Sequence, residues 1–205
     1  MENPIARQED STRERILNAA EQLFAENSYD GTTLREIAAR VGIREPSLYT
    51  HYAGKEAIYA AVIDRALLPF SDELFSWSNT PLGLKQIFEI PRKLMELHSR
   101  HPYSAQILHR EFTSPAHRIS PQVLQWQQRF VEQSRAFMQT LPDSVVDSLT
   151  KTKVVANMVT LTLVVLGCFS SLGMQSQLLG KEYDQQQLFE EQVKLVTRIL
   201  KSLLL

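Results

Sequence analysis

The sequence predicts an all-α protein of about nine helices, with a three-helix N-terminal unit built around a helix-turn-helix and a larger helical unit behind it. Three observations carry that expectation. Seven glycines among 205 residues leave long stretches without a turn signal. Apolar residues make up 43% of the chain and recur at the three- and four-residue spacing of helix faces. Pro81, Pro102, Pro115, Pro121 and Pro142 punctuate the chain where one helical segment should give way to the next.

The first helix is expected from about Ser11 to Asn27. Ser11-Thr-Arg-Glu14 fits a capping box, and Ile16, Leu17, Ala20, Leu23 and Phe24 share one face behind it. Asn27-Ser28 and Asp30-Gly31 then make a turn. Thr33-Leu-Arg-Glu36 is a second capping box and opens a short helix with Leu34, Ile37, Ala38 and Val41 inward. Gly42 suits the positive φ of a tight corner, and Ile43 should plug the gap it leaves. Pro46 sits in the first turn of helix 3, where a missing N–H costs nothing. Leu48 and Tyr52 face inward, and Ser47, Tyr49, Thr50 and His51 point elsewhere. Helix 4 starts near Lys55, and Pro69 should kink or end it. Further helices are expected over about 82–99, 102–113, 120–140, 143–174 and 184–204, with Pro91 kinking the first of these. The domain boundary belongs near residue 65, giving units 1–65 and 66–205.

Residues 154–180 contain no Asp, Glu, Lys or Arg, and 154–173 are long enough to span a bilayer. Asn157, Thr160, Thr162, Ser170 and Ser171 interrupt that run, and aromatic residues do not flank both ends. A helix buried all round, in a core and a subunit interface, is the preferred reading over a membrane span. The lone Cys168 rules out an internal disulfide and fits a reducing cytoplasm. The polar, charged N-terminus has no signal-peptide character.

A short helix, a glycine corner and a second short helix with an exposed polar face suit entry into a DNA major groove. Tyrosine and histidine there can lie against sugar or thymine methyl groups and hydrogen-bond phosphates. The start of helix 4, at Gly54-Lys55, offers backbone N–H groups and an ammonium to a phosphate.

Residues 13–58 resemble the DNA-binding domain of the tetracycline-repressor (TetR) family. The matching residues run Arg13, Ile16-Leu17, Ala19-Ala20, Leu23-Phe24, Tyr29, Thr32-Thr33, Ile37-Ala38, Val41-Gly42-Ile43, Leu48-Tyr49, His51-Tyr52 and Lys55-Glu56. The resemblance implies a homodimeric transcription regulator, most often a repressor that leaves a palindromic operator when a small molecule binds its C-terminal domain. An activator or a constitutive regulator without ligand control is the alternative. Carried over by position, Thr33, Tyr49, His51 and Lys55 hold the DNA backbone, and Arg44, Glu45, Ser47 and Thr50 read bases. Departures from the family pattern are Ser28 where glycine is usual, Arg44 in place of a small N-cap, and Pro46 where a small residue is common. Glu45 is able to accept from a cytosine amino group and equally suits a helix N-terminus.

Charge is less favourable. Residues 1–65 hold eight Lys/Arg against eleven Asp/Glu, so DNA binding requires Arg35, Arg44 and Lys55 to be segregated from the acids. Few phosphate contacts and a shallow salt dependence follow.

In the C-terminal unit, Tyr103, His109, Phe112, Trp126, Phe130, Asn157 and Thr160 are candidates to line an apolar or amphipathic effector site. The segments 143–174 and 184–204 are candidates for a four-helix dimer interface about a two-fold axis. His98 and His101 lie three apart but lack an acidic partner, so no metal site is read, and no cofactor is implied. No glycine-rich phosphate loop, GxSxG elbow or HExxH pattern is present, and no catalytic residue is assigned.

Overall fold

A computed structural model describes residues 4–75, 84–144, 146–179 and 184–204. Among them lie nine α-helices and one short 3-10 turn, and no strand. The helices are α1 (Pro4–Asn27), α2 (Leu34–Val41), α3 (Glu45–Leu48), α4 (Lys55–Phe75), α5 (Leu84–Arg100), α6 (Pro102–Thr113), α7 (Pro121–Thr140), α8 (Ser148–Leu179) and α9 (Gln185–Leu204).

Helix α1 begins seven residues ahead of the expected Ser11, which is a correction: Ser11 lies inside the helix and is not its cap. Pro4 at the first helical position is pre-set for that start, and the residues after it are ordinary helix formers. The helix ends where Ser28 takes φ 68° and donates its N–H to the Phe24 carbonyl at 3.0 Å. Ser28 thus adopts the left-handed conformation that glycine would take without steric cost. Gly31 answers a different demand, because a Cβ there would lie 2.2 Å from the Asn27 carbonyl oxygen. Buried Thr32 closes the turn, its hydroxyl lying 2.8 Å from the Ser28 carbonyl and 3.1 Å from that of Leu23.

Pro69 and Pro91 lie inside α4 and α5, so α4 does not end at its proline. Helix α8 starts later than residue 143, because Asp147 caps it by accepting the Leu149 and Thr150 N–H groups at 3.0 Å each. Asp184 and Gln187 cap α9 reciprocally, at 2.7 and 3.0 Å.

One core runs from Ile16, Leu23 and Phe24 of α1 through Ile37, Leu48, Ile58 and Val62 to Met95, Leu108, Val123 and Val196. A second, smaller cluster joins Met138, Leu141, Val146, Val154 and Leu200. Helix α1 packs on α2, α4 and α6, and α8 packs most extensively on α9. Among the described residues no helix is long and apolar enough to cross a membrane.

Candidate nucleic-acid interface

Helix α2 is fixed at both ends by its own sequence. The Thr33 hydroxyl accepts the Glu36 N–H at 3.2 Å, and the Glu36 carboxylate accepts the Thr33 N–H at 2.7 Å. The same carboxylate accepts the Thr33 hydroxyl proton at 2.8 Å, and these bonds hold its pKa below the usual range. Gly42, at φ 79° and ψ 30°, closes the other end with its N–H on the Ala38 carbonyl at 2.9 Å. Ile43 donates to the same carbonyl at 3.0 Å and packs against the core. This corner sends the chain into α3 at a fixed angle.

Helix α3 is a single turn. Pro46 stands in its first positions, and Arg44 at the N-cap makes no side-chain capping bond. Leu48 is 1% exposed and Tyr52 is buried, so the two anchor the inner face. Their anchoring leaves Arg44, Glu45, Ser47 and Thr50 exposed, and Tyr49 at 56%. His51 is half-buried. Thr50 spends its hydroxyl proton on the Ser47 carbonyl at 2.8 Å, so it meets a partner as an acceptor. Thr33 is committed to its cap and meets a phosphate only if Glu36 releases it.

Helix α1 braces the unit from behind. Arg13 lies 4.6 Å over the Tyr52 ring and donates to the His51 carbonyl at 3.3 Å. Arg15 donates to the Val41 carbonyl at the end of α2. Two acids of α1 are drawn elsewhere: Arg65 of α4 binds Glu14 at 3.0 Å and also pairs with Glu21. Arg35 and Arg44 are exposed, and so is Glu45 beside Arg44. Lys55 rests 4.3 Å from the centre of the Tyr29 ring at the start of α4.

The junction with the C-terminal unit holds residues that no sequence motif marked. The Tyr59 hydroxyl of α4 donates to the buried Glu111 carboxylate of α6 at 2.7 Å. Glu111 also accepts the Ser120 N–H at 2.8 Å. Arg110 donates to the Phe24 carbonyl at 2.8 Å, and Ser104 donates to Glu21. Burial and the Glu111 bond push the Tyr59 phenol far above its ordinary pKa.

Of the candidate effector residues, three meet. Phe112 and Trp126 have ring centres 6.0 Å apart, and Trp126 stacks on Phe130 at 5.3 Å. The Trp126 indole N–H reaches Ser71 of α4 at 2.8 Å. His109 presents a buried Nδ1 without a hydrogen-bond partner. Tyr103 and Thr160 are exposed, and the Asn157 amide donates to the Lys153 carbonyl of its own helix at 2.8 Å. No group of three or more potential metal ligands occurs among the described residues.

These features define a helix-turn-helix head carried on a larger all-helical body. Residues 16–62 match the family model described as bacterial regulatory proteins, tetR family. The N-terminal domain is thus similar to the DNA-binding domain of that family. A stretch of 62 residues, 30% of the chain, is 42% identical to the biofilm operon icaADBC HTH-type negative transcriptional regulator IcaR of Staphylococcus epidermidis. The match spans 34% of that relative's length. The fold is similar over far more of the chain. A TetR-like transcriptional regulator from Rhodococcus sp. RHA1 aligns over 93% of this chain and 96% of its own, with TM-score 0.61 and 20% identity. The fatty acid degradation regulator FadR from Bacillus halodurans aligns over 91% and 94%, with TM-score 0.64 and 13% identity.

Proposed function

We propose that this protein is a DNA-binding transcription regulator, acting as a dimeric repressor on a palindromic operator and released by a small apolar or amphipathic molecule. The observation that carries the reading is the α2–Gly42–α3 corner. It buries Leu48 and Tyr52 and thereby turns Arg44, Glu45, Ser47 and Tyr49 outward together. Arg44 and Glu45 reach base edges, and Tyr49, His51 and Lys55 hold the sugar–phosphate backbone. The bacterial cytoplasm is where such a protein meets its DNA.

The dimer rests on α8 and α9, which carry Leu178 at 75% exposure and Leu195 at 48%. Two copies joined there place two heads on half-sites about one helical turn apart, roughly 34–36 Å. The effector lodges in the C-terminal unit beside Phe112, Trp126 and Phe130, with His109 as a polar contact. IcaR is a negative regulator by name, which supports the repressor sense.

Selection of bound sequences from random duplex DNA tests this reading. The wild-type chain should enrich a palindrome, and a Tyr49→Ala, His51→Ala variant should not. Failure of both proteins to enrich any sequence refutes DNA recognition by this head. A selected palindrome bound equally by both refutes the contact assignment.

A further inference from the structure

The acidic balance of the head makes the placement of Lys55 a problem the structure has to solve. Glu36 lies within electrostatic reach of Lys55, and Glu56 and Asp30 lie within reach of Tyr29. An untethered lysine there would turn toward the acids and be lost to a phosphate. Instead its ammonium sits 4.3 Å from the centre of the Tyr29 ring. An aromatic face attracts a cation without neutralising it, so the remaining N–H donors stay available.

Tyr29 is in turn fixed. Its ring packs 4.8 Å from Tyr59 and 6.0 Å from Phe24, and Tyr59 meets Phe24 edge-on at 4.9 Å. Tyr59 is held by its 2.7 Å hydrogen bond to Glu111 of α6, and Arg110 beside it holds the end of α1 through the Phe24 carbonyl. A continuous set of contacts therefore runs from α6 to Lys55.

We propose that Tyr29 is a positioning residue for the Lys55 phosphate contact, and that the Glu111–Tyr59 hydrogen bond holds this seat from α6. The proposal rests on the DNA-binding reading above.

Two measurements on the full chain test it. The first needs no DNA: NMR of the Lys55 ε-methylene protons. Ring current from Tyr29 should shift them upfield in the wild type, Tyr29→Leu should abolish the shift, and Tyr59→Phe should reduce it. A wild-type shift that neither variant changes overturns the proposal. The second is affinity for the selected duplex across a salt series. Tyr29→Leu should weaken binding about two- to fivefold per protomer, the range expected from loss of one exposed cation–π contact. Lys55→Gln should weaken binding and flatten the salt slope by about 0.9 per protomer. The double variant should bind no more weakly than Lys55→Gln alone, because the tyrosine acts through the lysine. Independent, additive losses overturn the positioning role and leave DNA binding intact. A wild-type chain that binds no duplex fails differently, overturning the DNA-binding reading and the phosphate role together.

Discussion

Acidifying the protein from neutral pH to about pH 4.5 should destabilise it largely through one side chain, His98, whose unperturbed pKa is about 6.5. His98 is 2% exposed, with its ring 4.6 Å from Phe70 of α4 and its Nδ1 against the Leu94 carbonyl. Burial holds its pKa down to about 4, the Leu94 carbonyl opposes that, and nearby His109 adds to the lowering. The folded protein therefore keeps His98 neutral while the unfolded chain takes up a proton. Stability is present in full above the unfolded pKa and is lost as pH falls from about 6.5 toward 4. By linkage the loss between neutral pH and about pH 4.5 is about 2–3 kcal/mol. Urea denaturation of the wild type and His98→Gln at both pH values, at one protomer concentration, measures it. The carboxylates contribute equally to both proteins. The variant's loss on acidification should be smaller than the wild type's by about 2–3 kcal/mol, whatever its stability at neutral pH. Equal losses in the two proteins would refute the reasoning.

Ser28→Gly should raise stability by about 0.5 kcal/mol, since the left-handed turn at φ 68° suits glycine and the gain is partly offset by unfolded-state entropy; thermal melts read the difference. Thr33→Ala should cost about 1 kcal/mol by removing the α2 cap, and faster amide exchange at Glu36 should accompany it. Arg92→Met should cost less than about 1 kcal/mol in urea despite the two-pronged bond from Arg92 to Glu190, because both side chains are more than a third exposed or close to it and solvent screens them.

The short-range features of the head were legible because their causes are local. The Thr33–Glu36 box, the Gly42 corner, the buried pair Leu48 and Tyr52 and the turn at Asn27-Ser28 each follow from a few consecutive residues. The starts of α6 and α7 were legible through Pro102 and Pro121 for the same reason, whereas the Asp147 cap moves the start of α8 past the expected 143. Ser11 misled because a good capping box competes with helix-forming residues ahead of it, and Pro4 supplies an earlier start. The junction was illegible: Tyr59 and Glu111 are 52 residues apart, and Ser104 and Glu21 are 83 apart. Only folding brings such pairs together, and no spacing rule anticipates them. The candidate effector residues were chosen as helical-face aromatics with polar company. Phe112 meets Trp126 edge-on and Trp126 stacks on Phe130, whereas Tyr103 and Thr160 are exposed on their helices.

The most direct test of sequence reading by α3 is a second selection with an Arg44→Ala, Glu45→Ala variant. Both side chains are exposed and Arg44 makes no side-chain capping bond, so the variant should fold. Base preference should relax at matched positions in both half-sites while the rest of the palindrome is retained. A binding sequence identical to that of the wild type would contradict base reading by these residues.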